Sequence, residues 1–169
     1  MTVSTGSSTT AGTYSITING TASSGSHSAT YSLTVNSSGG SGSGSLVNGG
    51  FETGSLSPWV CQPGDAVVTS PVHSDSHAAQ IAPTSSQTGE CDQTITLSPN
   101  TSYTLSGWVQ GNYAFIGVSG GATASTWVSS SSWTQLNVPF TTGSSGAVTV
   151  YVNGWYSQGD VYADNFSLS

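Results

Sequence analysis

The stretch AVTVYVNGWYSQGDVYADNFSLS, residues 147–169, decides how this chain folds. Val148, Val150 and Val152 alternate with Thr149, Tyr151 and Asn153. Successive side chains of a strand point to opposite faces, so one face is aliphatic and the other carries a ring and an amide. Gly154 and the adjacent aromatics Trp155 and Tyr156 break the pattern, and VYADNFSL resumes it with Asp164 inside. The stretch therefore reads as two strands joined by an aromatic loop. A polar-aromatic face of this kind suits a flat, hydroxylated ligand such as a sugar. The ring covers the apolar C–H patch of a pyranose while amides and hydroxyls meet its O–H groups.

The same punctuation runs through most of the chain. After a short entry strand in LVNGGFETG, strand patterns occur at 66–69, 77–82, 92–97, 101–110, 113–120, 125–128 and 133–140, each bounded by turn residues. No capped helical window interrupts them. Many short strands at this spacing predict an all-β sandwich or barrel. Upstream, TYSITIN (13–19) and SATYSLTV (28–35) also alternate, and the GTASSGSH between them supplies turn residues, which predicts a β-hairpin. NSSGGSGSGS at 36–45 is a flexible Gly/Ser linker. The expected organisation is a hairpin segment over 1–35, the linker, and one domain over 46–169.

Charge narrows the function. The 169 residues include no Lys or Arg and seven acids, and only 4% are charged, against roughly 25% in an ordinary domain. Phosphate neutralisation needs cations, so nucleic acid is excluded as a partner, and the basic patch that anionic lipid attracts is missing too. No apolar run approaches the length of a membrane span. No basic segment followed by an apolar run opens the chain, so no secretory leader is expected within these residues. A neutral coat of Ser, Thr, Asn, Gln and Gly suits a secreted protein. Cys61 and Cys91, an even count 30 residues apart, read as an extracellular disulfide, with two buried free thiols as the rival reading.

Taken in order, NGGFETGSLSPW (48–59), SHAA (76–79), YTLSGWVQG (103–111), SWTQL (132–136) and DNFSL (164–168) resemble the jelly-roll carbohydrate-binding modules appended to secreted bacterial chitinases, cellulases, xylanases and mannanases. The resemblance covers residues 46–169. It implies a jelly-roll β-sandwich that is secreted, is not itself an enzyme, and holds a tethered catalytic domain on polysaccharide. The hairpin segment resembles the closing strands of bacterial immunoglobulin-like repeats, of which it would be a part. Such a segment offers a second reading: self-association through 13–35 into an extracellular structural or adhesive filament.

Site residues follow from face assignment. If Tyr103, Leu105 and Val109 face the core, Trp108 and Gln110 face outward, and Tyr113 and Phe115 join them from the next strand. With Tyr151 and Asn153 they would make one sugar-binding face, rimmed by Trp155 and Tyr156. Phe115, Trp59 and Trp133 are read first as packing residues, and Trp127 is left open between loop and ligand. With no cation to meet an anionic glycan, the expected ligand is neutral: β-glucan, mannan, xylan or chitin. The resemblance also implies a structural Ca2+ tying the first strand to the last. Glu52 and Asp164 match those positions and Asp75 is the third candidate, with Asn165 standing where the family often has a second acid. No catalytic residues are assigned. There is no Gly-x-Ser-x-Gly elbow, and no carboxylate pair has the context of a glycosidase.

Overall fold

The computed structural model describes residues 12–35 and 45–169. Residues 1–11 lie outside the described residues, as does all of the expected linker except Ser45. The chain divides into two compact units, residues 1–40 and 41–169.

The first unit contains a β-hairpin of β1 (Gly12–Ala22) and β2 (Gly25–Val35). Its strands run further than the alternating runs suggest, and only Ser23 and Ser24 remain as the turn. Gly25, with φ 127°, takes a backbone conformation a side chain would resist. Tyr14 pairs with Leu33, Ile16 with Tyr31 and Ile18 with Ala29, so the hairpin carries one apolar face.

The second unit is the expected all-β sandwich. Its strands are β3 (Val60–Cys61), β4 (Ala66–Val68), β5 (Ala78–Ile81), β6 (Cys91–Thr96), β7 (Ser102–Gly120), β8 (Ala124–Thr141), β9 (Ala147–Asn153) and β10 (Val161–Leu168). The patterns at 101–110 and 113–120, which read as two strands, are one strand, and 125–128 and 133–140 are likewise parts of β8. Together β7 and β8 form a long hairpin that serves both layers. The first half of β7 pairs with β10, which continues through β5 to β4. Its second half pairs with β9, which continues through β6 to β3.

The crossing point is a bulge. The register jumps between Val109, Gly111 and Ala114, and Gly111 and Tyr113 have positive φ, 134° and 56°. Five positions separate Val109 from Ala114, yet both are fully buried. An unbroken strand would put them on opposite faces, so the bulge restores the inward side while the strand bends into the other layer. Gly111 has no room for a side chain, since a Cβ there would come 2.9 Å from the Asp160 carbonyl.

The core lies between the layers. Leu105, Val109, Val161 and Ala163 come from one side and Ile116, Val118, Val148, Val150 and Val152 from the other. One end is closed by Phe51, Trp59 and Phe166, whose ring centroids lie 5.3–6.4 Å apart, so Trp59 is a packing residue as expected. The entry strand expected in LVNGGFETG does not form. That segment is tied down by single contacts instead: Val47 N–H donates to the Gln93 side chain at 2.8 Å, and Gly49 C=O accepts from Phe166 N–H at 2.8 Å. Cys61 and Cys91 face each other in the β3–β6 register and form the expected disulfide.

Candidate functional site

The alternation of β9 settles which way its polar side looks. Val148, Val150 and Val152 are buried, so Tyr151 lies on the outer face of the β9 layer. In register it stands between Asp92 of β6 and Gly117 of β7. A Cβ at Gly117 would come 2.5 Å from the Tyr151 hydroxyl, so the tyrosine lies across a position kept free of a side chain.

Two residues along the same face, Trp127, Phe115 and Asn153 are direct register partners on β8, β7 and β9. Their row carries a connected band of rings. Tyr113 stacks on Trp127 with centroids 5.2 Å apart and planes 15° off parallel. Trp127 meets Phe115 at 5.8 Å, Phe115 meets Trp155 at 5.6 Å, and Trp155 meets Tyr156 edge-on at 5.4 Å. Burying such rings is favourable, and these rings remain open on the folded surface. Trp127 is 51% exposed, Trp155 45%, Tyr156 43% and Tyr113 38%. Asn153 is buried, with its amide N–H donating to the Gly154 carbonyl at 2.6 Å. It shapes the floor and offers little to a ligand.

The single shared face expected of Trp108, Gln110, Tyr113, Tyr151 and Asn153 does not exist. Trp108 and Gln110 sit on the first half of β7, opposite β10, whereas Tyr113 lies in the bulge, stacked on Trp127, and Tyr151 and Asn153 sit on β9. They therefore look out from opposite layers. Trp108 is further occupied by His73, whose ring stacks on it at 3.9 Å and 15°, while Trp133 meets the same histidine at 5.8 Å. Sequence reasoning left Trp127 undecided and favoured a packing role for Phe115. Their membership of the band depends on the β7–β8 register, and the STWV alternation alone carries no signal for it. The alternation of DQTITL alone does not single out Asp92, and the β6–β9 register brings it beside Tyr151.

Among the proposed metal ligands, Asp164 is fully buried. Its carboxylate accepts N–H groups from His73 at 3.1 Å, Ser74 at 3.2 Å and Asn165 at 2.7 Å. Burial raises its pKa and these donors pull it back in part. Glu52 accepts from Ser76 and His77 N–H groups at 3.2 and 2.9 Å and pairs with the His77 ring at 3.3 Å. Slight desolvation pushes the Glu52 pKa up, but the His77 and Ser76 contacts outweigh it and hold it below 4.5. The two acids thus both hold the 73–77 loop, and Asp164, Asn165 and Glu52 all lie near Gly50. A buried carboxylate in a chain without Lys or Arg, beside a second acid and an amide oxygen, has the hard-oxygen chemistry that calcium takes. Glu52 and Asp164 fit that role. Asp75 is exposed in the loop and does not gather with them into a three-residue group.

The β9 layer of this two-layer β-sandwich thus carries an open band of aromatic rings. Residues 43–158 match the model of the carbohydrate binding domain family, and the chain belongs to that family. It is similar to Exochitinase 1 of Streptomyces olivaceoviridis, 48% identical over 125 residues. That match covers 72% of this chain and 21% of the relative, so the chain spans about a fifth of the exochitinase. Among solved structures it resembles the TmCBM61 module in complex with β-1,4-galactotriose, at 27% identity and TM-score 0.58, covering 73% of this chain and 96% of that one. It also shares the fold of a family 16 carbohydrate-binding module, at 23% identity and TM-score 0.60, covering 73% and 98%.

Proposed function

We propose that residues 46–169 bind a neutral β-linked polysaccharide, with chitin the first candidate, through the band Tyr113–Trp127–Phe115–Trp155–Tyr156. The connected run of half-exposed rings carries this reading. The rings present flat apolar surface to sugar C–H patches, and Tyr151 and Asp92 alongside offer hydrogen bonds to hydroxyls. Chitin ranks ahead of β-glucan, mannan and xylan because the 48%-identical relative is an exochitinase. The absence of Lys and Arg disfavours an anionic glycan. The module does no chemistry itself. It acts as the secreted anchor of a tethered catalytic domain, raising that domain's concentration at an insoluble substrate. Calcium held by Glu52 and Asp164, with backbone carbonyls, would fasten the 73–77 loop to the first and last segments.

The experiment is a pull-down on chitin, cellulose, xylan and mannan, comparing wild type with Trp127→Ala and Trp155→Ala. Retention on chitin that drops in both variants supports the reading, and unchanged retention in both removes it. The apolar hairpin face of Ile16, Ile18 and Leu33 keeps the filament reading in play. Size-exclusion chromatography of the full chain against residues 46–169 tests that second reading: only the full chain should assemble.

A further inference from the structure

The β10 layer has an outer face of its own. Val161 and Ala163 are buried, so Tyr162 between them points outward. Its register partners are Gln80 of β5 on one side and Gln110 of β7 on the other. Each glutamine follows or precedes a fully buried neighbour, Ala79 and Ile81 for Gln80 and Val109 for Gln110. The three residues therefore form one row across three adjacent strands, with the two glutamine backbones about 10 Å apart at the usual strand spacing. All three are half-buried.

Both amides are already held. Gln110 donates an N–H to the Ser131 carbonyl at 2.7 Å, and Gln80 donates to the Asp160 carboxylate. With the donor ends engaged, each amide oxygen is a held acceptor on a residue in register with the tyrosine, so little rotamer freedom is lost on binding. A groove lined by Gly111, Asn112 and Ser129–Ser131 adjoins Gln110. The stacked pair Trp108–His73 stands two residues further along β7.

We propose that this row is a second glycan-binding surface, separate from the aromatic band, and that it takes a neutral sugar chain. The chemistry selects the occupant. A ring flanked by fixed acceptors meets a ligand rich in O–H donors with apolar C–H faces, and the chain has no Lys or Arg with which to attract an anionic one. Because the two faces belong to opposite layers, one molecule can hold two sugar chains at once and gain avidity on a packed polysaccharide.

The test titrates the full 15N-labelled chain with chitohexaose, cellohexaose, xylohexaose and mannohexaose, following the Gln80 and Gln110 side-chain amides and the Trp155 indole. Three forms are compared: wild type, Trp127→Ala/Trp155→Ala and Gln80→Ala/Gln110→Ala. The expected result is saturable amide shifts in wild type that persist in the tryptophan variant with affinity changed by less than about twofold, as distant sites behave independently. In the glutamine variant the indole shift should remain. Amide shifts without an indole shift would support this surface and remove the aromatic-band reading. Loss of all shifts in the tryptophan variant would leave that reading standing and overturn this one. Amide shifts that follow protein concentration and ignore sugar would assign the face to contact between copies, and the proposal would fall. Silence of the amides toward every sugar would also overturn it.

Discussion

Replacing Trp127 by alanine separates the ring's two roles, because half of it is spent on the fold and half is free. A tryptophan covers roughly 150–250 Å² when wholly buried. With 51% of its surface exposed, roughly 100 Å² remains for a ligand, which at about 25 cal/mol per Å² bounds its contribution near 2.5 kcal/mol. Ordering of the sugar takes part of that, so the expected loss is about 1.5–2 kcal/mol, or roughly 10- to 30-fold in Kd. The buried half touches Tyr113 and Phe115, and two aromatic pairs at about 0.5–1.5 kcal/mol each put the stability cost near 1–3 kcal/mol. The measurement is calorimetric titration with chitohexaose well below the melting temperature, with thermal unfolding followed in parallel. Trp127→Phe keeps a ring against both neighbours and should recover most of the stability and part of the affinity. A folded Trp127→Ala protein that binds within about twofold of wild type would refute the assignment of the band.

Three further outcomes follow from the electrostatics and the cross-link. Burial raises the pKa of Asp65, helped by the nearby Asp160 charge, and burial raises that of Glu90, helped by Asp92. Each holds its proton more tightly folded than unfolded, so ionisation opposes folding. That penalty is full above the raised folded values and fades as pH falls toward the ordinary 3.8 and 4.5. Melting in EDTA should therefore shift upward as the pH is lowered from neutral toward 4.5, and a downward shift would contradict the assignment. Reduction of Cys61–Cys91, which closes a separation of 30 residues, should cost about 3–4 kcal/mol by the loop-entropy relation. Chemical denaturation with and without reductant measures it, and an unchanged midpoint would count against a structural role. Calcium at saturating concentration should raise the melting temperature at pH 7 relative to EDTA, by about 2.7 kcal/mol of stability at a hundredfold excess over Kd. Asp164→Asn should abolish that difference, whereas a wild-type protein indifferent to EDTA would remove the calcium proposal.

Much of the molecule was legible beforehand because period-two alternation is a local property. The core faces of β9 and β10, the hairpin at the start and the β-sandwich class all follow from side chains two residues apart. The disulfide followed from count and compartment. Where the reading of faces failed, the cause was the β7 bulge. Gly111 and Tyr113 look like the end of one strand and the start of another, since a turn and a bulge use the same positive-φ residues. Taking them as a turn left Trp108 and Tyr151 free to share a face.

Residues 147–169 by themselves determined that a strand would bury three valines and present Tyr151 outward, because alternation needs no partner. They also placed Trp155 and Tyr156 in the loop that follows. Only the tertiary structure decided which rings stand beside Tyr151. That depends on cross-strand register, which joins Trp127, Phe115 and Asn153 from three distant segments and sends Trp108 to the opposite layer. It likewise decided that Asp164 would be buried against the 73–77 loop, since β5, which follows that loop, pairs directly with the last strand. Which side of a strand is polar is local information; what lies next to that side is set by pairing.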